Sequence, residues 1–222
     1  MNIILSWFCK IFLAPIVKRI LIKEVRGREN IPKETFILAT NHQSHLDEIV
    51  AGYICVPRRF SFIGQTDQYS GLTKLFLYII YFIFGVIRLN RKKEESKRGA
   101  IEEAVKVLKQ NNILVIYPEG TRTRTGEMGK GKWGAARIFL ETGAPVLPVG
   151  IKGTFKLLPP GGKLKIERIV KANIGKPLYF REELQKAKVI NNNLAEKEGL
   201  AIKITDKIME RISFLKSELD KE

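Results

Sequence analysis

The 222-residue sequence predicts an α/β fold, a single domain with a mostly parallel central sheet flanked by helices and entered through an N-terminal hydrophobic helix. Two observations carry the expectation. Short apolar runs alternate along the chain with amphipathic stretches of helical period, the order expected of strands joined by crossover helices. The runs at 35–40 (TFILAT) and 112–117 (NILVIY) are apolar nearly throughout, as in strands buried on both faces. The apolar content of 45% and charged content of 28% are those of an ordinary globular protein. There are no repeats, low-complexity tracts or clear linkers.

Residues 1–22 are hydrophobic but interrupted by Lys10, Pro15, Lys18 and Arg19. No stretch there reaches the roughly 18–20 apolar residues needed to span a bilayer, and no signal-peptide cleavage pattern follows. Trp7, Phe8, Ile11 and Phe12 form one apolar face, and the basic side chains reach toward headgroups. This reads as an interfacial anchor over 1–24, followed by the main domain over 25–222. A helix packed on the domain's own core is the alternative.

The remaining elements follow in order. A buried strand is expected at 35–40, a helix at 44–54 and a strand at 59–64. The apolar stretch 75–87 (LFLYIIYFIFGVI) is too short to cross a membrane. It suits a helix over 71–84, either buried or at a lipid surface, ended by Gly85. A strand at 86–89 precedes an amphipathic helix over 94–111, with Ile101, Ala104, Val105 and Leu108 on one face. After the strand at 112–117 comes a helix over 133–141, which Gly143 stops. A strand at 146–151 starts after Pro145. Residues 164–174 alternate as an exposed or edge strand. A long helix over 194–219 carries Leu200, Ile204, Ile208, Ile212 and Leu215.

The formal charge is +16, from 39 Lys and Arg against 23 Asp and Glu. The excess lies in the first 180 residues, since residues 181–222 carry nine of each sign. Such a chain attracts polyanions: nucleic acid, an anionic membrane, or phosphorylated substrates. Against nucleic acid, the aromatics Phe76, Tyr78, Tyr81, Phe82 and Phe84 cluster in an apolar run instead of interleaving with Lys and Arg. Cys9 and Cys55 lack metal-ligand spacing, so no zinc site and no disulfide framework are expected.

Both histidines of the chain fall in one heptapeptide, Asn41-His42-Gln43-Ser44-His45-Leu46-Asp47. Histidine is the side chain best suited to proton transfer near neutral pH, and a neighbouring aspartate fixes its tautomer. On a continuous helix, five residues turn through about 500°, so His42 and Asp47 would face apart. They meet if a helix begins between them. Ser44 suits the N-cap, which places Asp47 three residues on in a capping pattern. His42 then lies in the preceding loop, free to fold back on Asp47. His45 becomes the first helical residue. Backbone N–H groups at such a helix start also favour an oxyanion.

Two further loops carry charge. Tyr117-Pro118-Glu119-Gly120-Thr121-Arg122 follows the strand at 112–117, at the sheet edge where ligands bind in open α/β folds. Arg122 there suits bidentate phosphate recognition. The segment 85–93 (GVIRLNRKK) ends in Arg91, Lys92 and Lys93.

NHQSHLD, GVIRLNR, YPEGTR and APVLPV occur in this order, and together they resemble the four sequence blocks of the glycerolipid acyltransferases of the 1-acylglycerol-3-phosphate (lysophosphatidate) type. The similarity covers about residues 25–180. It implies catalysis by His42 and Asp47, and substrate binding by Arg91, Glu119, Gly120, Thr121 and Arg122. It further implies acyl transfer from acyl-CoA or acyl-carrier protein to lysophosphatidate, with no metal and no cofactor beyond the donor. An anionic membrane surface, peripherally bound on the cytoplasmic face of the cell membrane, is the expected partner, and no nucleic acid. Three residues depart from the pattern: His45 where an aromatic is common, and Arg88 with Asn90 where the block usually reads apolar then acidic. Another acceptor, such as glycerol 3-phosphate or another lysolipid, is the alternative.

Overall fold

The computed structural model describes residues 2–66, 75, 78, 81–190 and 194–221. The chain opens with a helical rod: α1 (Ile3–Phe8), a π-helical turn (Cys9–Leu13) and α2 (Ala14–Ile20). Strand β1 (Ile22–Arg26) follows at once. Then come β2 (Ile37–Thr40), α3 (Leu46–Cys55), β3 (Phe60–Gln65) and β4 (Ile87–Leu89). The second half holds α4 (Glu94–Lys109), β5 (Ile113–Ile116), α5 (Gly134–Thr142), β6 (Val146–Lys152), the single turn α6 (Thr154–Leu157), β7 (Val170–Ile174), α7 (Arg181–Val189) and α8 (Leu194–Ser217).

Among the described residues, seven strands form one sheet in the order β1-β7-β6-β2-β5-β3-β4. Every neighbouring pair is parallel except β6 and β7. The α/β domain with a mostly parallel sheet is therefore as the sequence predicts. Side chains of the central strands feed two cores. Leu38, Val115, Leu147 and Val149 face the side of α3 and the N-terminal rod. Ile37, Leu114, Ile116 and Val146 face α4, α5 and α8. Burial on both faces explains why these strands carry apolar residues without alternation.

Differences from expectation have local causes. The strand expected over 164–174 begins only at Val170; residues 161–168 are exposed coil, and their alternation is not that of a paired strand. Strand β1 was not foreseen, because an edge strand reading Ile-Lys-Glu-Val-Arg buries little beyond Ile22. Helix α7 was missed because its sequence, REELQKAKV, lacks an apolar stripe. The boundary expected at residue 24 falls inside β1. Of the helix expected over 71–84, Leu75, Tyr78 and residues 81–84 are helical, and the rest lies outside the described residues. Gly85 closes it with a φ of 63°, the left-handed conformation that glycine adopts without a Cβ penalty. Among the described residues no helix is long and apolar enough to cross a membrane.

The two central parallel pairings bring the carboxyl ends of β5, β2 and β6 together. Asn41, one residue past β2, is fully buried and continues the ladder with its side chain. Its Oδ1 accepts from Ile151 N at 2.8 Å and its Nδ2 donates to Ile151 O at 2.9 Å. This amide pair ties down the strand end from which the next loop departs.

Candidate active site

His42 follows Asn41 directly, so the anchored strand end fixes where its ring begins. Its Nδ1 lies 3.1 Å from Asp47 Oδ2. The same carboxylate oxygen accepts from Gln43 N at 2.5 Å and Ser44 N at 2.7 Å. Asp47 is wholly buried, and its Oδ1 has no hydrogen-bond partner among the described residues. An ionised Asp47 holds the ring hydrogen on Nδ1 and leaves Nε2 as the basic nitrogen.

The turn between them works as a helix cap. Ser44 Oγ accepts from Leu46 N at 3.1 Å and donates to Leu158 O at 2.7 Å, while Asp47 reaches back to Ser44 N. The return bond from Ser44 N to Asp47 is the one this spacing predicts, while Ser44 Oγ takes the second helical amide instead of the third amide of a full capping box. The regular helix starts at Leu46, with His45 in the flanking position, a one-residue difference within the ordinary ambiguity of helix ends. His45 is half exposed, with Nδ1 3.6 Å from Glu48.

Glu119 is buried behind this loop, not displayed on it. Its Oε1 accepts from His42 N and its Oε2 from Gly129 N, each at 2.7 Å. Burial pushes its carboxyl above the usual glutamate range, and the two amides partly offset the effect. The loop after β5 grips the His42 turn at further points. Thr123 N donates to His42 O at 3.0 Å, and Gln43 Nε2 donates to Gly126 O at 2.6 Å. Tyr117 stacks on the His42 ring, with centroids 3.9 Å apart and planes 16° from parallel. Burial, then the charges of Glu48 and Asp47, hold its phenol well above the usual tyrosine range, so the stacking ring stays neutral.

A cavity of about 720 Å³ opens beside His42. Its cationic lining comprises Arg91, Lys97, Arg98, Arg122, Lys132 and Arg137, against the acids Glu48 and Glu94. Apolar wall is supplied by Phe62, Val86, Leu89, Ile101, Ile116 and Ile138. Gly120 and Thr121 line it as well. At Gly120, with a φ of 67°, a Cβ would sit 3.1 Å from Lys132 Cδ, so glycine both permits the turn and admits the lysine stem.

The expected residues thus divide in two. His42, Arg91, Gly120, Thr121 and Arg122 line the cavity, whereas Asp47 and Glu119 stand behind it and hold His42 by ring and by backbone. Several amides around the helix start are engaged within the turn: His42 N with Glu119, Gln43 N and Ser44 N with Asp47, Leu46 N with Ser44 Oγ and Asp47 N with Ser44 O. Sequence reasoning did not single out Lys97, Arg98, Lys132 or Arg137, because isolated cations on helices or in coil read as solvated surface. Among the described residues, no group of three or more His, Cys, Asp or Glu side chains is placed to hold a metal ion.

The acyltransferase family model matches residues 23–152, the stretch that contains His42, Asp47, Arg91, Glu119 and Arg122. The match spans more than half of the chain, and the chain belongs to this family. Among its relatives, the 1-acyl-sn-glycerol-3-phosphate acyltransferase of Borreliella burgdorferi is 30% identical over 194 residues, covering 86% of this chain and 72% of the relative. The chloroplastic 1-acyl-sn-glycerol-3-phosphate acyltransferase BAT2 of Brassica napus is 27% identical over 186 residues, covering 80% of this chain. The chain spans only 51% of the length of that plant protein. Among solved structures, the 1-acyl-sn-glycerophosphate acyltransferase PlsC from Thermotoga maritima superposes with a TM-score of 0.58 at 27% identity, covering 85% of this chain and 72% of that one.

Proposed function

We propose that the chain transfers a fatty acyl group from an acyl thioester to the sn-2 hydroxyl of 1-acyl-glycerol-3-phosphate, giving phosphatidic acid. The observation that carries the reading is the His42–Asp47 pair, 3.1 Å apart, on the rim of a cavity that is both cationic and apolar. An acceptor with one phosphate and one acyl chain needs both kinds of lining. The names of the relatives point to the same acceptor.

In this mechanism His42 Nε2 takes the proton of the acceptor hydroxyl as its oxygen attacks the thioester carbonyl carbon. Asp47 stabilises the resulting imidazolium through Nδ1–H. The tetrahedral intermediate collapses with cleavage of the C–S bond, and His42 returns the proton to the departing thiolate. No acyl-enzyme is needed: Cys55 is buried with its thiol pushed up by desolvation, and Cys9 belongs to the N-terminal rod. Cavity cations take the oxyanion charge. Arg91 and Arg122 hold the acceptor phosphate. Glu119 positions His42 and does not touch substrate.

The rod is proposed as a peripheral or monotopic anchor on the cytoplasmic face of an anionic membrane. Its small residues face the domain: Ser6 donates to Arg58 O, Ala14 is buried, and Cys9 packs on the core. Its large apolar residues face outward, with Ile4 76%, Trp7 51% and Phe12 57% exposed. A helix packed only on its own core would show the opposite arrangement.

The test is thioester release with lysophosphatidate by purified wild type and His42→Ala, with acyl-CoA and acyl-carrier protein donors in parallel. General-base loss predicts a fall of about 10²–10⁴-fold. Wild-type turnover by His42→Ala would sink the mechanism, and faster turnover of glycerol 3-phosphate or another lysolipid would reassign the acceptor.

A further inference from the structure

Large apolar side chains also stand in solvent outside the rod. Between α6 and β7, residues 161–168 are all exposed, and within them Leu164 is 55% and Ile166 67% exposed. The sequence pattern had suggested an edge strand, but these residues are in no strand. Their coil is nonetheless held in place. Lys165 N donates to Leu157 O at 2.7 Å, and Gly162 N to Pro159 O at 2.9 Å. At the far end, Arg168 Nε donates to Ile22 O at 2.9 Å.

These anchors locate the loop. Leu158, just before it, accepts the hydrogen bond from Ser44 Oγ, so its base abuts the His42 turn. Ile22 begins β1 directly after the rod, so its other end abuts the end of α2. The loop therefore bridges the catalytic turn and the end of the proposed anchor. Its charge pattern is equally specific: Lys163 and Lys165 flank Leu164, Lys156 is exposed nearby, and Glu167 is the single acid.

We infer that the loop 161–168 is a second lipid contact, in which Leu164 and Ile166 enter the acyl boundary of an anionic bilayer while Lys163 and Lys165 meet lipid phosphates. The inference rests on the membrane reading of the rod and adds to it. A rod lying in a surface leaves the attached body free to roll about the rod's axis. A second point off that axis removes the freedom and holds the His42 turn at the level of the lipid. Alternating cationic and aliphatic residues suit this role, because each side chain finds its own depth in the interface.

The test compares the full-length wild type with a Leu164→Ser, Ile166→Ser double variant. Co-sedimentation uses mixed phosphatidylcholine and phosphatidylglycerol vesicles. Burial of two aliphatic side chains predicts vesicle binding weakened by about tenfold or more. Turnover of a short-chain acceptor dissolved as monomer stays at the wild-type rate, which shows that the variant folds. Turnover of vesicle-borne acceptor falls with binding. In a Cys9→Ser background, Ile166→Cys carrying an environment-sensitive dye shifts to the blue on vesicle addition and is quenched by spin-labelled acyl chains. Equal vesicle binding by wild type and double variant, with no shift at position 166, would overturn the loop contact alone. Failure of the wild type itself to bind vesicles would overturn the membrane reading and the loop contact together. A wild-type dimer that the double variant loses in light scattering would assign the loop to a protein contact instead.

Discussion

Asp47 places one oxygen among three donors and leaves the other, in a fully buried site, without a hydrogen-bond partner among the described residues. That asymmetry makes Asp47→Asn informative. The asparagine carbonyl can take the place of Oδ2 and keep all three donors, with its NH₂ at the position of Oδ1, so the ring keeps its orientation and only the carboxylate charge is lost. Without that charge the imidazolium formed in proton transfer loses its stabilisation, so kcat should fall by about 10²–10⁴-fold, with far-ultraviolet circular dichroism unchanged. Glu119 poses a different question, because both its oxygens accept backbone amides. Glu119→Gln keeps one acceptor and sets a donor against the other amide, at a cost of about 1–3 kcal/mol. If Glu119 positions His42, kcat drops while KM holds; a rise in KM alone would place Glu119 against substrate. The sign of its pH effect follows from its raised value. A carboxyl raised by burial gives stability that is complete below the ordinary glutamate value of 4.5 and is lost as pH rises through the higher folded value. Thermal melts stepped upward from pH 4.5 should show that decline in wild type and its absence in Glu119→Gln.

Among the elements, α8 runs close over β6. A Cβ on Gly150 would lie 2.4 Å from Lys216 N, a backbone atom of the helix that cannot step aside alone. Gly150→Ala should therefore destabilise by about 1–3 kcal/mol, lowering the melting temperature by roughly 2–10 °C, as calorimetry would read. The central strands and the long helices were legible because each buries enough apolar surface to impose a period or a run on the sequence. Edge strand β1 and polar helix α7 bury too little to leave one. The loop 161–168 misled for the opposite reason: its alternation reads as pairing when no strand pairs with it. At the site, the His42–Asp47 meeting was readable because a cap rule converts five-residue spacing into proximity. The commitment of Glu119 to two amides was not, since its second partner, Gly129, lies in a loop with no regular period. Lys132 and Arg137 escaped notice because only the fold brings them to the cavity.

For the whole molecule, the +16 charge and the outward apolar face of the rod act over different ranges. Charge attracts an anionic surface from a distance but is screened beyond about 8–10 Å at physiological salt. Apolar insertion is short-ranged and is not screened. Capture by anionic vesicles should therefore slow as salt is raised, whereas protein already bound should resist a high-salt wash and yield to detergent. Complete release by salt alone would exclude the apolar anchor.

The sheet order has a consequence in time. Strand β1 sits at the edge, and among the described residues its one neighbour in the sheet is β7. A ribosome delivers β7 about 150 residues after β1, an interval of roughly 7–30 s at ordinary rates of synthesis. Throughout that interval the rod is out of the exit tunnel while the strand that pairs with β1 does not yet exist. On the proposed reading, the nascent chain can settle on the bilayer first and build its domain there, so the enzyme matures in place instead of having to find its membrane afterwards.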